Sequence, residues 1–192
     1  MASENPALAA LLRRRSVPSR LLAEPGPDDA TLLELIATAV RVPDHGKLTP
    51  WRFLRIQGEA RHALGERLVA RAREREPQIA PAALDKERQR FSYAPTIVAV
   101  IARPTPGHKV PEIEQILSGG AVCFALLQAA QAYGFGAQWL TGWAAYDPAI
   151  TTALGLGEHE RVLGFVHIGT ALEEAPERLR PDPRDLLSDW RP

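Results

Sequence analysis

The feature that most limits the possible folds of this chain is an uninterrupted apolar run, Thr96–Ala102, rich in β-branched residues. Such a run predicts a strand covered on both faces, because a strand with one wet face alternates apolar and polar side chains. Helical and strand patterns follow each other without the regular alternation that a parallel sheet requires. The sequence therefore predicts an α+β fold in a single domain, residues 1–192. Further strands are predicted at 51–57, 137–141 and 161–169.

Residues 111–133 predict a long helix that is apolar on nearly every side, and such a helix should be buried all round. Gly119 and Gly120 cost about 1 kcal/mol each relative to alanine in a helix. We therefore expect another backbone to approach closely there, and a helix of a second copy is one candidate. Residues 171–192 are rich in proline and have no core pattern of their own.

Charge and composition exclude several classes of protein. Lys+Arg and Asp+Glu number 23 each, which argues against a protein that coats DNA or RNA. The single cysteine, Cys123, allows no internal disulfide and no multi-cysteine metal site, and the histidines show no paired ligand spacing, so no metal is expected. No apolar stretch of membrane-spanning length and no secretion signal is visible, so we expect a soluble cytoplasmic protein that does not bind membranes.

Two arginine-bearing segments bracket one predicted amphipathic helix: residues 13–16, RRRS, and residues 41–46, RVPDHG. Guanidinium groups and a hydroxyl match phosphate oxygens in number and geometry, which favours a small phosphate group as the ligand. The alternatives are a solvated helix C-terminus for the first segment and a rigid surface turn for the second.

The glycine patterns of phosphate loops and dinucleotide-binding folds are missing, and so is the nucleophile elbow of many hydrolases. Trp139 and Thr141 stand at the end of a predicted strand. The flat indole suits an aromatic cofactor, and packing in the core is the alternative for Trp139.

Taken together, these segments resemble the nitroreductase family of flavoproteins, in particular its minimal bacterial branch. The resemblance covers roughly residues 8–172 in the family's order, and the further matching segments are residues 50–53, 108–111, 118–121, 134–142 and 164–170. It implies a three-layer fold with a central mixed, mostly antiparallel sheet flanked by helices. It also implies an intertwined homodimer, in which the tail, 172–192, packs on the partner subunit.

The resemblance further implies two FMN sites in the dimer interface. Residues of one subunit would hold FMN through Arg14, Arg15 and Ser16, with Trp139, Leu140 and Thr141 completing the wall. Arg41 and His45 would reach the same flavin from the other subunit. The segment aligned with the nicotinamide nucleotide comprises Ala129, Ala130, Gln131, Ala132, Tyr133 and Gly134. One extra residue near Pro18 departs from the family pattern, so Ser19 and Arg20 are not assigned.

The implied function is an FMN-dependent oxidoreductase that passes hydride from NADH or NADPH through the flavin to a small acceptor, such as a nitroaromatic or a quinone. The resemblance implies ping-pong kinetics, no protein nucleophile and no essential general base, so no catalytic side chain is assigned. Dehalogenation, enone reduction or flavin-dependent oxidation on the same fold stays open. So do a flavin-binding or nucleotide-sensing protein without turnover and a dimeric scaffold whose arginines serve only solubility.

Overall fold

The computed structural model describes residues 5–192, which form an α+β fold as the sequence predicts. This part of the chain has six α-helices and five strands. The four predicted strands and the predicted long helix fall close to their expected bounds, and the two-residue strand β1 was not predicted. In chain order they are α1 (Pro6–Arg13), β1 (Leu22–Ala23), α2 (Asp29–Ala39), β2 (Trp51–Gln57), α3 (Glu59–Arg75), α4 (Pro81–Gln89), β3 (Thr96–Ala102), α5 (Glu112–Ala132), β4 (Gly136–Leu140), α6 (Pro148–Ala153) and β5 (Arg161–Ala171).

The sheet has the order β1-β5-β3-β2, and β4 pairs with β5 beside β1. Every pairing among the described strands is antiparallel, in agreement with the mostly antiparallel sheet that the resemblance implies. All seven residues of β3 are buried, which confirms a strand covered on both faces. The sheet therefore forms the middle of three layers.

Alternate residues of β3 belong to two different cores, because successive side chains of a strand point to opposite faces. Ile97 and its odd-numbered neighbours pack with Leu64 and Leu68 of α3. Val98 and Val100 pack with α2 and α5. The face under α3 and α4 is the one that carries the candidate site.

Helix α5 corrects the expectation that it is buried all round. One face packs on the sheet, while Ile113, Leu117 and Phe124 leave an exposed stripe, with exposed fractions of 60%, 63% and 43%. The close approach at Gly119 comes from Leu163 of the chain's own β5, and nothing lies within 4 Å of a Cβ placed on Gly120.

The composition of α5 has a second consequence. The helix is long and apolar enough to cross a membrane, contrary to the expectation from the sequence, and half of its most apolar stretch is buried inside the chain. The apolar side chains of the helix are divided between the side that packs on the sheet and the exposed stripe.

The segment between α1 and β1 lies along β4. The backbone N–H of Val17 donates to the carbonyl of Ala137 at 3.0 Å, and that of Ser19 donates to Oε1 of Gln138 at 2.6 Å. These contacts bring the first arginine-bearing segment beside β4, at the edge of the sheet.

The tail returns to its own chain before running out over the surface. Ala175 is buried, and Glu177 forms an ion pair with Arg15. Beyond it, the exposed apolar side chains include Leu186, Leu187 and Trp190. That the later part packs on a partner subunit stays a prediction.

Candidate functional site

A cleft of about 330 Å³ opens where the segment after α1, the end of α4 and strand β4 meet. Three of its lining side chains, Arg20, Lys86 and Arg90, carry positive charge. Gln138 and Leu140 of β4 form its wall, since alternate residues of the strand share a face. A cleft of this size with a few convergent polar groups is typical of a small-molecule site.

Arg90 is held in the cleft by a two-pronged ion pair. Its Nε donates to Oε2 of Glu87 at 2.8 Å, and its Nη2 donates to Oε1 at 2.7 Å. The indole Nε1–H of Trp143 also donates to Oε2 of Glu87, at 3.1 Å. Burial opposes ionisation of Glu87, but these hydrogen bonds and the charge of Arg90 outweigh it and lower the pKa of Glu87.

The loop after β4 rests on the same guanidinium. Gly142 has a φ of +74°, and a Cβ there would lie 3.0 Å from Nη1 of Arg90. A side chain at this position would thus be strained and would press on Arg90. The glycine lets the backbone approach the cation closely.

His167 lies behind the cleft, in β5, directly opposite Gln138. Its ring stacks on Phe91 with 5.7 Å between centroids. Burial, and to a lesser degree the charge of Arg90, lowers the pKa of His167 to about 4. Neither ring nitrogen has a hydrogen-bond partner among residues 5–192. The side chain is therefore neutral at neutral pH and packs as part of the core behind the cleft.

A second group of cations lies at the start of the segment between α1 and β1, away from the cleft. Arg14 donates from Nη1 to Oγ of Ser16 at 3.2 Å. Glu177 binds Arg15 and accepts from Nη2 of Arg180 at 3.0 Å. Burial, followed by the charges of Arg180, Arg178 and Arg15, lowers the pKa of Arg14. The excess of guanidinium groups over carboxylates suits an anion with more than one charge.

Sequence reasoning did not assign five cations that the structure adds: Arg20, Lys86, Arg90, Arg178 and Arg180. Arg90 and Glu87 are three residues apart on a helix, which is also the signature of an ordinary surface pair. The closely spaced Arg178 and Arg180 were a usable signal, but nothing in the sequence shows that the tail folds back to Arg14.

The second arginine-bearing segment lies elsewhere on the molecule. Nδ1 of His45 contacts the carboxylate of Glu114, near the start of α5, and Arg41 is exposed just after α2. Within residues 5–192, no hydrogen bond or ion pair joins this segment to residues 14–16. That it reaches the flavin of a partner subunit stays a prediction.

Trp139 and Leu140 lie on opposite faces of β4. The indole Nε1–H of Trp139 donates to the carbonyl of Leu163 at 3.0 Å, and its ring covers Gly164, where a Cβ would overlap it. Leu140 lines the cleft, and Thr141 is half-buried at the strand end. Trp139, Leu140 and Thr141 are thus close together at the end of β4, but Trp139 and Leu140 face opposite sides of the sheet.

The segment predicted to contact the nicotinamide nucleotide is partly built into the core. Ala129 and Ala130 are buried. Gln131 accepts from the backbone N–H of Arg15 at 3.3 Å and so anchors the arginine-bearing segment. Gln131 and Gly134 also line a second cavity, of about 420 Å³, together with Arg15.

Cys123 is buried, and burial raises the pKa of its thiol to about 12. The part of the chain that the structure describes contains no cluster of three His, Cys, Asp or Glu residues able to hold a metal ion.

Comparison with known proteins identifies similar sequences and similar folds. A family model described as "Nitroreductase family" matches residues 11–170. An Escherichia coli (strain K12) protein named "Putative NAD(P)H nitroreductase YdjA" is 36% identical over 187 residues, which cover 95% of this chain and 98% of that protein.

Two solved structures show the fold. A nitroreductase-like family protein from Bacillus cereus has a TM-score of 0.81 at 21% identity, over 97% of this chain and 96% of that one. A mutant of the FMN and NADPH-dependent nitroreductase NfnB from Sphigopyxis sp. strain HMH has a TM-score of 0.75 at 24% identity, over 99% and 98%.

Proposed function

The chain belongs to the nitroreductase family, and from that membership we propose that it is an FMN-dependent NAD(P)H oxidoreductase. The observation that carries the proposal is the row of cations along residues 14–20 and beside β4, which ends in a cleft sized for a small molecule. The name of the Escherichia coli relative, at 36% identity, supports the same activity.

The residues present fit FMN. A phosphate needs several hydrogen-bond donors and positive charge, which Arg14, Arg15 and Ser16 supply, with Arg178 and Arg180 beside them. A flavin ring needs a flat apolar wall and polar groups at its edge, which Leu140, Gln138 and Arg90 supply in the cleft. Arg41 and His45 would complete the site from the second subunit.

The chemistry that bound FMN supplies is acceptance of a hydride from NADH or NADPH and delivery of electrons to a small acceptor, such as a nitroaromatic or a quinone. The protein would bind and orient the FMN and would supply the charged groups around it. Arg90, fixed by Glu87, would supply positive charge to stabilise the negative charge of a reduced flavin in the cleft. Since donor and acceptor would use one cleft in turn, we expect ping-pong kinetics.

We further propose a homodimer with the sites at the subunit interface. In the single chain α1 exposes Leu8, Leu11 and Leu12, and α5 exposes its stripe around Leu117. Exposed apolar surface of this extent on two neighbouring helices favours contact with another protein surface. A second copy of the chain is the proposed occupant.

The visible absorption spectrum of the purified protein, before and after anaerobic addition of NADH or NADPH, tests the activity. We expect a flavin spectrum that bleaches with one or both donors. A coloured protein that neither donor bleaches would be a flavin-binding protein without turnover. A colourless protein that does not take up added FMN would contradict the proposal.

Replacing Arg14 and Ser16 together by alanine tests the phosphate assignment. We expect the double variant to lose most of its FMN while its circular dichroism stays that of the wild type, because only charge and hydrogen-bond donors are removed. Arg67→Ala, on the exposed side of α3, is the matched control. Full flavin occupancy in the double variant would show that the phosphate binds elsewhere.

A further inference from the structure

The ion pair between Glu87 and Arg90 is unlike the other pairs on the helical surface. The side chains are only 13% and 26% exposed, whereas the neighbouring pair of Asp85 and Arg88 is 63% and 41% exposed. An exposed helix pair contributes little, and a half-buried two-pronged pair fixes a geometry. The carboxylate of Glu87 therefore determines where the guanidinium of Arg90 points.

The hydrogen bonds leave one end of Arg90 free for the cleft. Its Nε and Nη2 are committed to Glu87, and within residues 5–192 its Nη1 has no acceptor. Nη1 is the nitrogen that lies against Gly142, at the mouth of the loop after β4. Nη1 is therefore the nitrogen of Arg90 that remains able to donate to a ligand, and the ion pair holds it in one position.

The carboxylate of Glu87 is itself held in place by Trp143. Trp143 donates to its Oε2, and the guanidinium of Arg75 stacks over the Trp143 ring at 4.8 Å from the centroid. This arrangement gives the carboxylate little freedom to leave Arg90. The negative charge of Glu87 also lies directly beside Arg90, which lines the cleft, and so offsets part of the positive charge of Arg90.

We propose that Glu87 is a positioning residue that acts through Arg90 to set the reduction potential of the flavin in the cleft. The inference rests on the proposed function. Hydride transfer from NAD(P)H moves one proton and two electrons to the flavin and leaves the oxidised nicotinamide, so the flavin site gains one negative charge. The cation Arg90 stabilises that charge, and the carboxylate of Glu87 holds the cation in place and reduces its net effect.

Removing the charge of Glu87 and removing the charge of Arg90 should shift the reduction potential of the flavin in opposite directions. Glu87→Gln keeps the size and one acceptor but removes the negative charge, so reduced FMN should bind about tenfold more tightly relative to oxidised FMN, a positive shift of about 30 mV for a two-electron couple. Arg90→Gln removes the positive charge and should shift the potential in the negative direction. Asp85→Asn, on the same helix, removes a carboxylate outside the cleft and should leave the potential unchanged.

The experiment measures the midpoint potential of each FMN-loaded variant against a reference dye, and the dissociation constant of oxidised FMN for each apoprotein. Opposite shifts for Glu87→Gln and Arg90→Gln, with none for Asp85→Asn, support the proposal. If Glu87 were merely structural, both oxidation states would weaken equally and the potential would not move, which overturns it. Should Glu87→Gln fail to fold, a potential unchanged in Arg90→Gln overturns it as well.

A wild-type protein that holds no FMN overturns both the proposed function and the role of Glu87. A flavin-loaded wild type whose variants keep the wild-type potential overturns only the role of Glu87.

Discussion

At the scale of single residues, burial decides what a titratable group does. His167 is 1% exposed, and its pKa falls to about 4 because the folded chain cannot solvate an imidazolium. The unfolded chain protonates this ring at its ordinary pKa of 6.5. Between these two values the unfolded state binds the extra proton, so the folding stability falls as the pH drops from 6.5 towards 4.

His167→Phe should remove this pH dependence. Each pKa unit corresponds to about 1.4 kcal/mol, so the wild type should lose about 3 kcal/mol more than the variant between pH 7 and pH 4. Urea unfolding at both pH values measures the difference. His62→Gln, an exposed change on α3, is the control and should follow the wild type. Equal losses in wild type and His167→Phe would contradict the prediction.

Arg52 shows how a residue of a recognised motif takes a structural role. It lies in β2 and donates from Nε and Nη2 to the carboxylate of Glu160, each at 2.7 Å. The hydrogen bonds from Arg52 lower the pKa of Glu160 to about 2. The pair ties the edge strand to the turn before β5. The sequence could indicate that the residue matters, but its partner lies 108 positions away and only the fold shows it.

At the scale of elements, the crossing of α3 and α4 places the cleft-lining end of α4. A Cβ on Gly65 would overlap the carbonyl oxygen of Arg88, so the two helices approach each other through this glycine. Arg90 follows two residues later. The crossing of the two helices therefore controls the position of the cation.

Gly65→Ala should destabilise the protein by about 1–3 kcal/mol through this clash, although alanine is favoured over glycine by about 1 kcal/mol in a helix. Thermal or urea unfolding measures it, and FMN affinity should fall with it. Ala70→Gly, exposed on the same helix, calibrates the propensity effect alone. A stabilised Gly65→Ala variant would mean that the helices do not meet there as described.

At the scale of the whole molecule, the exposed apolar stripe on α5 needs a cover. Its side chains are too exposed in one chain to contribute to that chain's core, and burial of a leucine or phenylalanine contributes about 1.5–3 kcal/mol. A second copy packed on the stripe would gain this energy, and we propose that residues 41–45 of that copy complete the site. The homodimer and the two-subunit site are thus one proposal.

Leu117→Glu should dissociate the proposed dimer, because it puts a charge into the apolar contact. Sedimentation or light scattering gives the mass, and flavin content should fall in parallel if residues of the partner complete the site. Ala70→Glu places the same charge on the exposed side of α3 and should leave the mass unchanged. A Leu117→Glu variant that keeps the wild-type mass would remove α5 from the interface.

The sequence by itself determined the elements of this protein and its family. Apolar periodicity and caps such as Asp28 and Asp147, whose side chains accept from backbone N–H groups, are local signals, so the helices and strands were predictable to within a few residues. Only the tertiary structure decided which side chains share a site, because strand pairing brings Arg20 beside Arg90 in the cleft, and the return of the tail brings Arg180 beside Arg14. Neither contact leaves a local pattern in the sequence. The tertiary structure also decided that α5 keeps one apolar face outside the core, since burial depends on neighbours that are distant in the chain.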